Sequence, residues 1–291
     1  MKTLVIGGTG KVGSLVCKEL RKRGTDVRAF CRKPTTALGP EVEIVTGDLL
    51  NPPSLEKALQ GIDKVYLMND GAAEELPQGL IAYDLVKQMK IKHIVYQSVF
   101  KADRFKDVPH LHAKLAIENA IREFDVPFTF LRPNYFMQND LMFKDPLLAG
   151  AYPAPLGQIG ISMVDIRDIA EAAAIALTSD GHFGKTYNLV GPEALTGNRI
   201  ASIWSELLGR AINYAGADVN IFYQEIKKQA PPWFAFDLRM MVQGYLERGF
   251  NADPVEIETL TNLLGHPPRR YEDFAGELAK GWKAGKLRGA A

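Results

Sequence analysis

The sequence predicts an α/β fold: a doubly wound parallel sheet with a smaller, mostly helical C-terminal substrate part. Three observations carry that expectation. Strand-like and helix-like segments alternate through the first 133 residues. A glycine triplet separates the first strand from the first helix. After residue 133 the alternation gives way to Pro/Gly-rich connections and helical pieces.

The elements follow in order. "TLVIGG" (3–8) is a short β-branched run that stops at glycine, and "KVGSLVCKELRKRG" (11–24) spaces Val12, Leu15, Val16 and Leu20 at helical intervals up to Gly24. Further strands are expected at "VRAFCR" (27–32), "VEIVTGD" (42–48), "DKVYLM" (63–68), "HIVYQSV" (93–99) and "PFTFLRP" (127–133), with helices at 53–60, 76–90 and 111–124 between them. Strands and helices alternating at this pitch form βαβ units, whose right-handed crossovers give an open parallel sheet covered on both faces. "KTYNLVG" (185–191) adds one late strand. The expected division is residues 1–133 plus about 161–195 for the sheet domain. About 134–160 plus 196–291 then form the smaller one.

Composition narrows the class. The chain has 291 residues, 46% of them hydrophobic, with 35 basic and 34 acidic side chains for a net charge of +1. That size supports a substantial core, and the balanced charge supplies no field to recruit nucleic acid or an anionic membrane. Two cysteines, Cys17 and Cys31, make no disulfide framework. No apolar run approaches the roughly 18 residues a membrane helix needs. A soluble, cytoplasmic protein that binds neither nucleic acid nor membrane is the expectation.

"GGTGKVG" places Gly7, Gly10 and Gly13 at intervals of three, directly after a strand and opening a helix, with Thr9, Lys11 and Val12 between them. Glycines there let the backbone approach a pyrophosphate, and the helix N-terminus presents free N–H groups. A glycine turn made for packing alone is the plain alternative, but the strand–loop–helix context is that of a Rossmann dinucleotide-binding unit. The end of the second strand, "FCRKP", offers Arg32 and Lys33 and no carboxylate. An NAD site usually holds the ribose 2′-hydroxyl with an acid there, so two cations favour a 2′-phosphate and hence NADP(H). Both could instead be solvated loop charges. Asp26 precedes the strand, at its wrong end. Asp48 and Leu49 in "GDLL" are placed to approach the adenine, or Asp48 belongs to a helix N-cap region.

The chain resembles the NmrA-like branch of the atypical, extended short-chain dehydrogenases/reductases. The residues that carry the resemblance are "GGTGKVG" (7–13), "GDLLNPPSLEKAL" (47–59), "FTFLRPNYFMQN" (128–139), "VDIRDIAEAAAIAL" (164–177), "TYNLVGPEALT" (186–196) and "LLGHPPRRYEDF" (263–274). It implies NADP(H) lying across the carboxyl ends of the strands. Met68 and Asn69 would then run along the cofactor, Gln97, Ser98 and Val99 would border the nicotinamide ribose, and Pro133, Asn134, Tyr135 and Phe136 would wall the nicotinamide. Asp168 is implied to be structural, capping the helix that follows it.

Ordinary short-chain dehydrogenases carry a Tyr-x-x-x-Lys pair, in which the lysine binds the ribose and the tyrosine moves the proton. In "HLHAKLAIENAI" (110–121) the lysine is Lys114, and four residues earlier stands His110 in place of tyrosine. Three readings are open. His110 and His112 could bind a metal, but on a helix they point about 200° apart and have no acidic partner nearby, so no metal site is expected. His110 and Lys114 share a face and are candidates for the catalytic proton work. Or His110 is a polar residue just outside the first turn and only Lys114 touches cofactor.

The resemblance implies two competing functions, since the family it points to includes both reductases and proteins that bind NADP(H) without turning it over. One is an NADPH-dependent reductase of a small, apolar, aromatic, quinone-like or conjugated carbonyl molecule. The aromatic content beyond residue 133 favours it: Tyr135, Phe136, Phe143, Tyr152, Phe222, Tyr223, Trp233, Phe234 and Phe236. The other is a non-catalytic NADP(H) sensor acting through a protein partner, which the missing tyrosine favours.

Overall fold

The structure, a computed structural model, describes residues 1–69, 71–123 and 126–283. Residue 124 of the predicted fourth helix and residues 284–291 of the predicted small domain lie outside these. In chain order the elements are β1 (Lys2–Ile6), α1 (Lys11–Lys22), β2 (Asp26–Cys31), β3 (Val42–Thr46), α2 (Pro52–Leu59), β4 (Lys64–Leu67), α3 (Glu75–Gln88), β5 (His93–Gln97), α4 (Pro109–Glu123) and β6 (Phe128–Pro133). There follow α5 (Lys144–Ala149), β7 (Ala151–Tyr152), α6 (Ile166–Thr178), β8 (Lys185–Leu189), α7 (Gly197–Leu208), β9 (Asn213–Tyr214), α8 (Val219–Ile226), α9 (Pro232–Arg248), α10 (Pro254–Leu264) and α11 (Tyr271–Lys283).

Among the described residues the chain divides into two compact units, residues 1–133, 166–189 and 262–265 in the first and residues 134–165, 190–261 and 266–283 in the second. Residues 161–165 and 190–195, which the sequence grouped with the sheet, belong to the second unit. Backbone pairing is the reason: Ile161 N–H donates to Leu195 O at 3.0 Å, Ser162 N–H to Phe250 O at 3.1 Å, and Val164 N–H to Tyr135 O at 2.9 Å.

In the first unit seven strands, all parallel, run in the order β3-β2-β1-β4-β5-β6-β8. The order reverses between β1 and β4, and in such sheets the crevice at the strands' carboxyl ends at that point takes the ligand. One face is closed by α2, α3 and α4 over a core that includes Leu4, Leu55, Val65, Ile94, Ile117 and Phe130. Neither α1 nor α6 contributes to that core; they pack on each other and on the strands. The buried alanines Ala170, Ala172, Ala173, Ala174 and Ala176 let α6 lie close to its neighbours. Asp168, in the first turn of α6, is fully buried. At the carboxyl end of the sheet the buried Glu118 of α4 accepts two hydrogen bonds from Arg132 of β6, at 2.8 and 2.6 Å. That bidentate pairing fixes α4 against the sheet. Among the described residues no helix is long and apolar enough to cross a membrane.

The second unit is mostly helical, with a two-stranded sheet of β7 and β9. Its core holds a carboxylate. Asp140 is completely buried, and its Oδ2 accepts from Tyr152 at 3.0 Å and from Tyr271 at 2.5 Å; Tyr271 accepts in turn from the Trp204 indole at 3.0 Å. Trp204 stacks on Trp282 with centroids 4.9 Å apart. Tyr152, expected on the substrate side, is thus a core residue. Burial pushes Asp140 up to about 7, against the pull of the two hydroxyl donors. A carboxyl whose folded pKa is raised binds its proton more tightly folded than unfolded, so stability falls as pH rises from the ordinary carboxylate value towards 7 and then levels. All three tryptophans lie in this unit. Urea unfolding followed by tryptophan fluorescence should therefore show a lower midpoint at pH 8 than at pH 5. Asp140→Asn should remove that Asp140-dependent difference.

Candidate functional site

The glycine loop is built by backbone contact. Gly7 has φ +77°, in the left-handed region that favours glycine, and Gly10 N–H donates to Gly7 O at 2.9 Å to close the turn. A Cβ on Gly13 would stand 2.1 Å from the Gly7 carbonyl oxygen and 2.7 Å from its carbon, so only glycine lets α1 start this close to β1. Gly10 is the N-cap of α1; no side chain caps it, and the first turn contains no acid. The helix-initiating N–H groups are left for an anion, with the positive end of the helix dipole behind them. Thr9 and Lys11 are exposed beside the loop and Val12 is buried beneath it. Met68, after β4, covers it from the other side, with its Cε 2.6 Å from where a Gly7 Cβ would stand and 3.5 Å from one at Gly10.

Lys114 is held by a group that the sequence reading missed. Its Nζ lies 2.5 Å from Oε1 of Glu75 and 3.3 Å from the carbonyl oxygen of Asn69. Glu75 opens α3 and is 1% exposed. The lysine side chain is 11% exposed, so this is an ion pair largely shielded from water. Asn69 joins the same group, its side-chain amide donating to Glu75 O at 2.7 Å. Nothing in "AAEEL" marks Glu75, because an acid in a helix's first turn usually faces solvent and serves the dipole. His110 is not outside the helix as one reading had it: α4 begins at Pro109, and His110 is its second residue, half-buried. His112 is exposed, its Nδ1 2.7 Å from the carbonyl oxygen of Lys106.

The remaining candidates divide by surroundings. Gln97, at the end of β5, is buried and accepts from the Tyr66 hydroxyl of β4, so its side chain already joins two central strands. Ser98 is buried, with its N–H on Leu131 O at 2.8 Å, and Val99 is half-buried beside it. The Ser98 hydroxyl and the Asn69 side-chain oxygen are buried without a hydrogen-bond partner. Both follow central strands at their carboxyl ends, where a ligand hydroxyl or amide would satisfy them. Arg32 and Lys33 are exposed just past β2. Asp48 is exposed and engaged locally: Leu50 N–H donates to its Oδ1 at 2.8 Å. The N-cap of α2 is Asn51, not Asp48, and Leu49 packs against the core. Pro133 ends β6 and accepts from Phe100 N–H at 3.0 Å. Asn134, Tyr135 and Phe136 lie in the second unit. There Asn134 donates to Phe250 O at 2.7 Å and accepts from Tyr135 N–H at 2.7 Å, and Phe136 bridges to Val164.

Uncapped N–H groups at the glycine loop, a Cβ-free approach, orphaned polar atoms at strand ends and a shielded lysine together define a dinucleotide site of the Rossmann class. The NmrA-like family model matches residues 1–274, and the chain belongs to that family. It is 31% identical to (4-alkanoyl-5-oxo-2,5-dihydrofuran-3-yl)methyl phosphate reductase of Streptomyces griseus, over 95% of this chain and 98% of the relative. It is 29% identical to NAD(P)H azoreductase of Xenophilus azovorans, covering 94% and 96% of the two chains. Its fold is similar to that of the NADPH-dependent quinone oxidoreductase QOR2 of Escherichia coli, solved with NADPH. The TM-score is 0.86 at 25% identity, over 95% of this chain and 99% of that one.

Two outcomes follow from the geometry. Breaking the Lys114–Glu75 pair from either side leaves a lone buried charge, so Glu75→Gln and Lys114→Met should each cost about 3–5 kcal/mol. The double variant should cost less than the sum, as measured by equilibrium urea unfolding. Gly13→Ala drives a methyl into backbone and should cost about 1–3 kcal/mol in the same measurement, with loss of nicotinamide-nucleotide binding.

Proposed function

We propose that this protein reduces a small, apolar, conjugated acceptor with NADPH, the acceptor being an aromatic quinone-like molecule or a conjugated carbonyl compound. The observation that carries the reading is the uncapped glycine-loop helix together with Lys114, held by Glu75 and Asn69 in the same unit. The named relatives support it, since quinone, azo compound and unsaturated lactone are all conjugated acceptors.

On this reading the loop from Gly7 to Gly13 holds the pyrophosphate with backbone N–H groups, and Arg32 and Lys33 take the 2′-phosphate. Lys114 reaches the nicotinamide ribose while remaining balanced by Glu75, so its charge need not be desolvated alone. Asn69 and Ser98 meet the sugar and amide with their unpartnered oxygens. NADPH supplies the hydride. A conjugated acceptor spreads the resulting negative charge over its own framework, and water can then deliver the proton, so the absence of a tyrosine four residues before Lys114 is compatible with turnover. His110 occupies that position, and His110→Ala tests it: a large fall in kcat with NADPH affinity unchanged assigns the proton to the imidazole, and an unchanged kcat assigns it to solvent.

The primary experiment is NADPH and NADH binding by fluorescence, followed by nicotinamide absorbance with a quinone added. Tight NADPH binding with loss of absorbance is expected, and binding without turnover across quinones, azo dyes and enones would overturn the reading. Arg32→Ala should weaken NADPH by about tenfold or more, in line with the loss of a charge-assisted phosphate contact, and leave NADH affinity where it was.

A further inference from the structure

The second unit contains a helical hairpin that buries part of α9 but leaves several apolar side chains of α8 and of the start of α9 outside the core. None of the residues of α8 is buried, although it contains Val219, Ile221, Phe222, Tyr223 and Ile226. Ile221 is 65% exposed, and α9, which packs against α8, leaves Trp233 42% and Phe236 47% exposed in its opening turns. A cluster of exposed apolar side chains marks a binding surface more than a scatter of single residues does.

The charges on this face are what give it a chemistry. The rings of Tyr223 and Phe236 meet edge to face, 6.4 Å between centroids. The Arg239 guanidinium lies 5.8 Å from both ring centroids, and Lys227 Nζ lies 5.2 Å from that of Tyr223. Neither cation is paired with a carboxylate among the described residues. The contrast is local: the adjacent Lys228 is paired with Glu225 at 2.6 Å. Two cations resting on aromatic faces, with hydrogen-bonding capacity unspent, are set to receive an anion whose carrier is itself flat and apolar.

We propose that the α8–α9 hairpin binds an aromatic or conjugated small molecule through an anionic substituent, a sulfonate, phosphate or carboxylate. Lys227 and Arg239 take the charge, and Tyr223, Trp233 and Phe236 take the ring. This narrows the substrate class of the proposed reductase and rests on that reading for its catalytic consequence. The binding itself stands independently.

Two measurements on the full chain separate these. The first compares kcat/KM for 1,4-naphthoquinone-2-sulfonate with that for uncharged 2-methyl-1,4-naphthoquinone. The ratio should fall about tenfold in a Lys227→Gln/Arg239→Gln variant, equivalent to about 1.4 kcal/mol, and Arg239→Lys should fall less than Arg239→Gln. Equal changes for both quinones would overturn the proposal. The second is titration calorimetry with 2-naphthalenesulfonate, which cannot be reduced. Wild-type binding that weakens with added salt and is lost in the double variant supports the hairpin site even if no quinone is turned over. Absence of binding to the wild type would overturn the hairpin site and leave the reductase reading untouched. Sedimentation of both proteins covers the remaining occupant: a wild-type dimer that the double variant dissociates would make this face an interface between copies and overturn the ligand proposal.

Discussion

The first unit depends on one close approach of backbone to backbone. Where Gly13 meets Gly7 there is no room for a single carbon atom, and this contact sets where α1 begins relative to β1. From it follow the uncapped helix terminus, the turn closed by Gly10 on Gly7, and the position of Met68 over the loop. A larger residue would not merely weaken packing; it would move the N–H groups whose alignment makes the loop an anion site. The parallel topology then does the rest, since the order reverses beside β1 and opens a crevice at that end of the sheet.

Charge is handled differently in the two units. In the first, shielded ions are paired: Lys114 with Glu75, and Arg132 with Glu118 by two hydrogen bonds. Such pairs gain little net stability over apolar packing, but they hold a long side chain in one place, and removal of one partner is costly. In the second, Asp140 is buried with hydroxyl donors and is pushed towards protonation near neutral pH. On the α8–α9 hairpin two cations lie on rings and are paired with no carboxylate among the described residues. The first arrangement suits a constant fixed geometry. The last leaves electrostatic energy to be released only when an anion arrives.

Much of the fold was legible because its signals are local. The β-branched runs, the helical spacing of Val12, Val16 and Leu20, and the glycine triplet each act within a few residues, and the sheet strands appear within one or two residues of their expected starts. The parallel arrangement follows from the alternation itself. The boundary near residue 161 was not legible in this way. Ile161, Ser162 and Val164 look like strand residues, and their hydrogen-bond partners, Leu195, Phe250 and Tyr135, lie from under thirty to nearly ninety residues away along the chain. The turn at the glycines and the place of Lys114 on α4 were legible. Glu75 was not, since it looks like an ordinary helix-opening acid, nor was Asp48, whose carboxylate is taken by its own turn.

The sequence alone determined the α/β class, the glycine loop, the cations that follow β2, the missing tyrosine and the family to which these residues point. Each is written in residue type and spacing, because backbone stereochemistry and hydrophobic periodicity act over short stretches of chain. Only the tertiary structure decided which groups share a buried environment. It set Glu75 against Lys114 across 38 intervening positions, made Tyr152 a core donor to Asp140, and left Lys227 and Arg239 on rings with no acid paired to either among the described residues. The cost of burying a charge depends on what else is desolvated beside it, and that is a property of packing in three dimensions which no local pattern encodes.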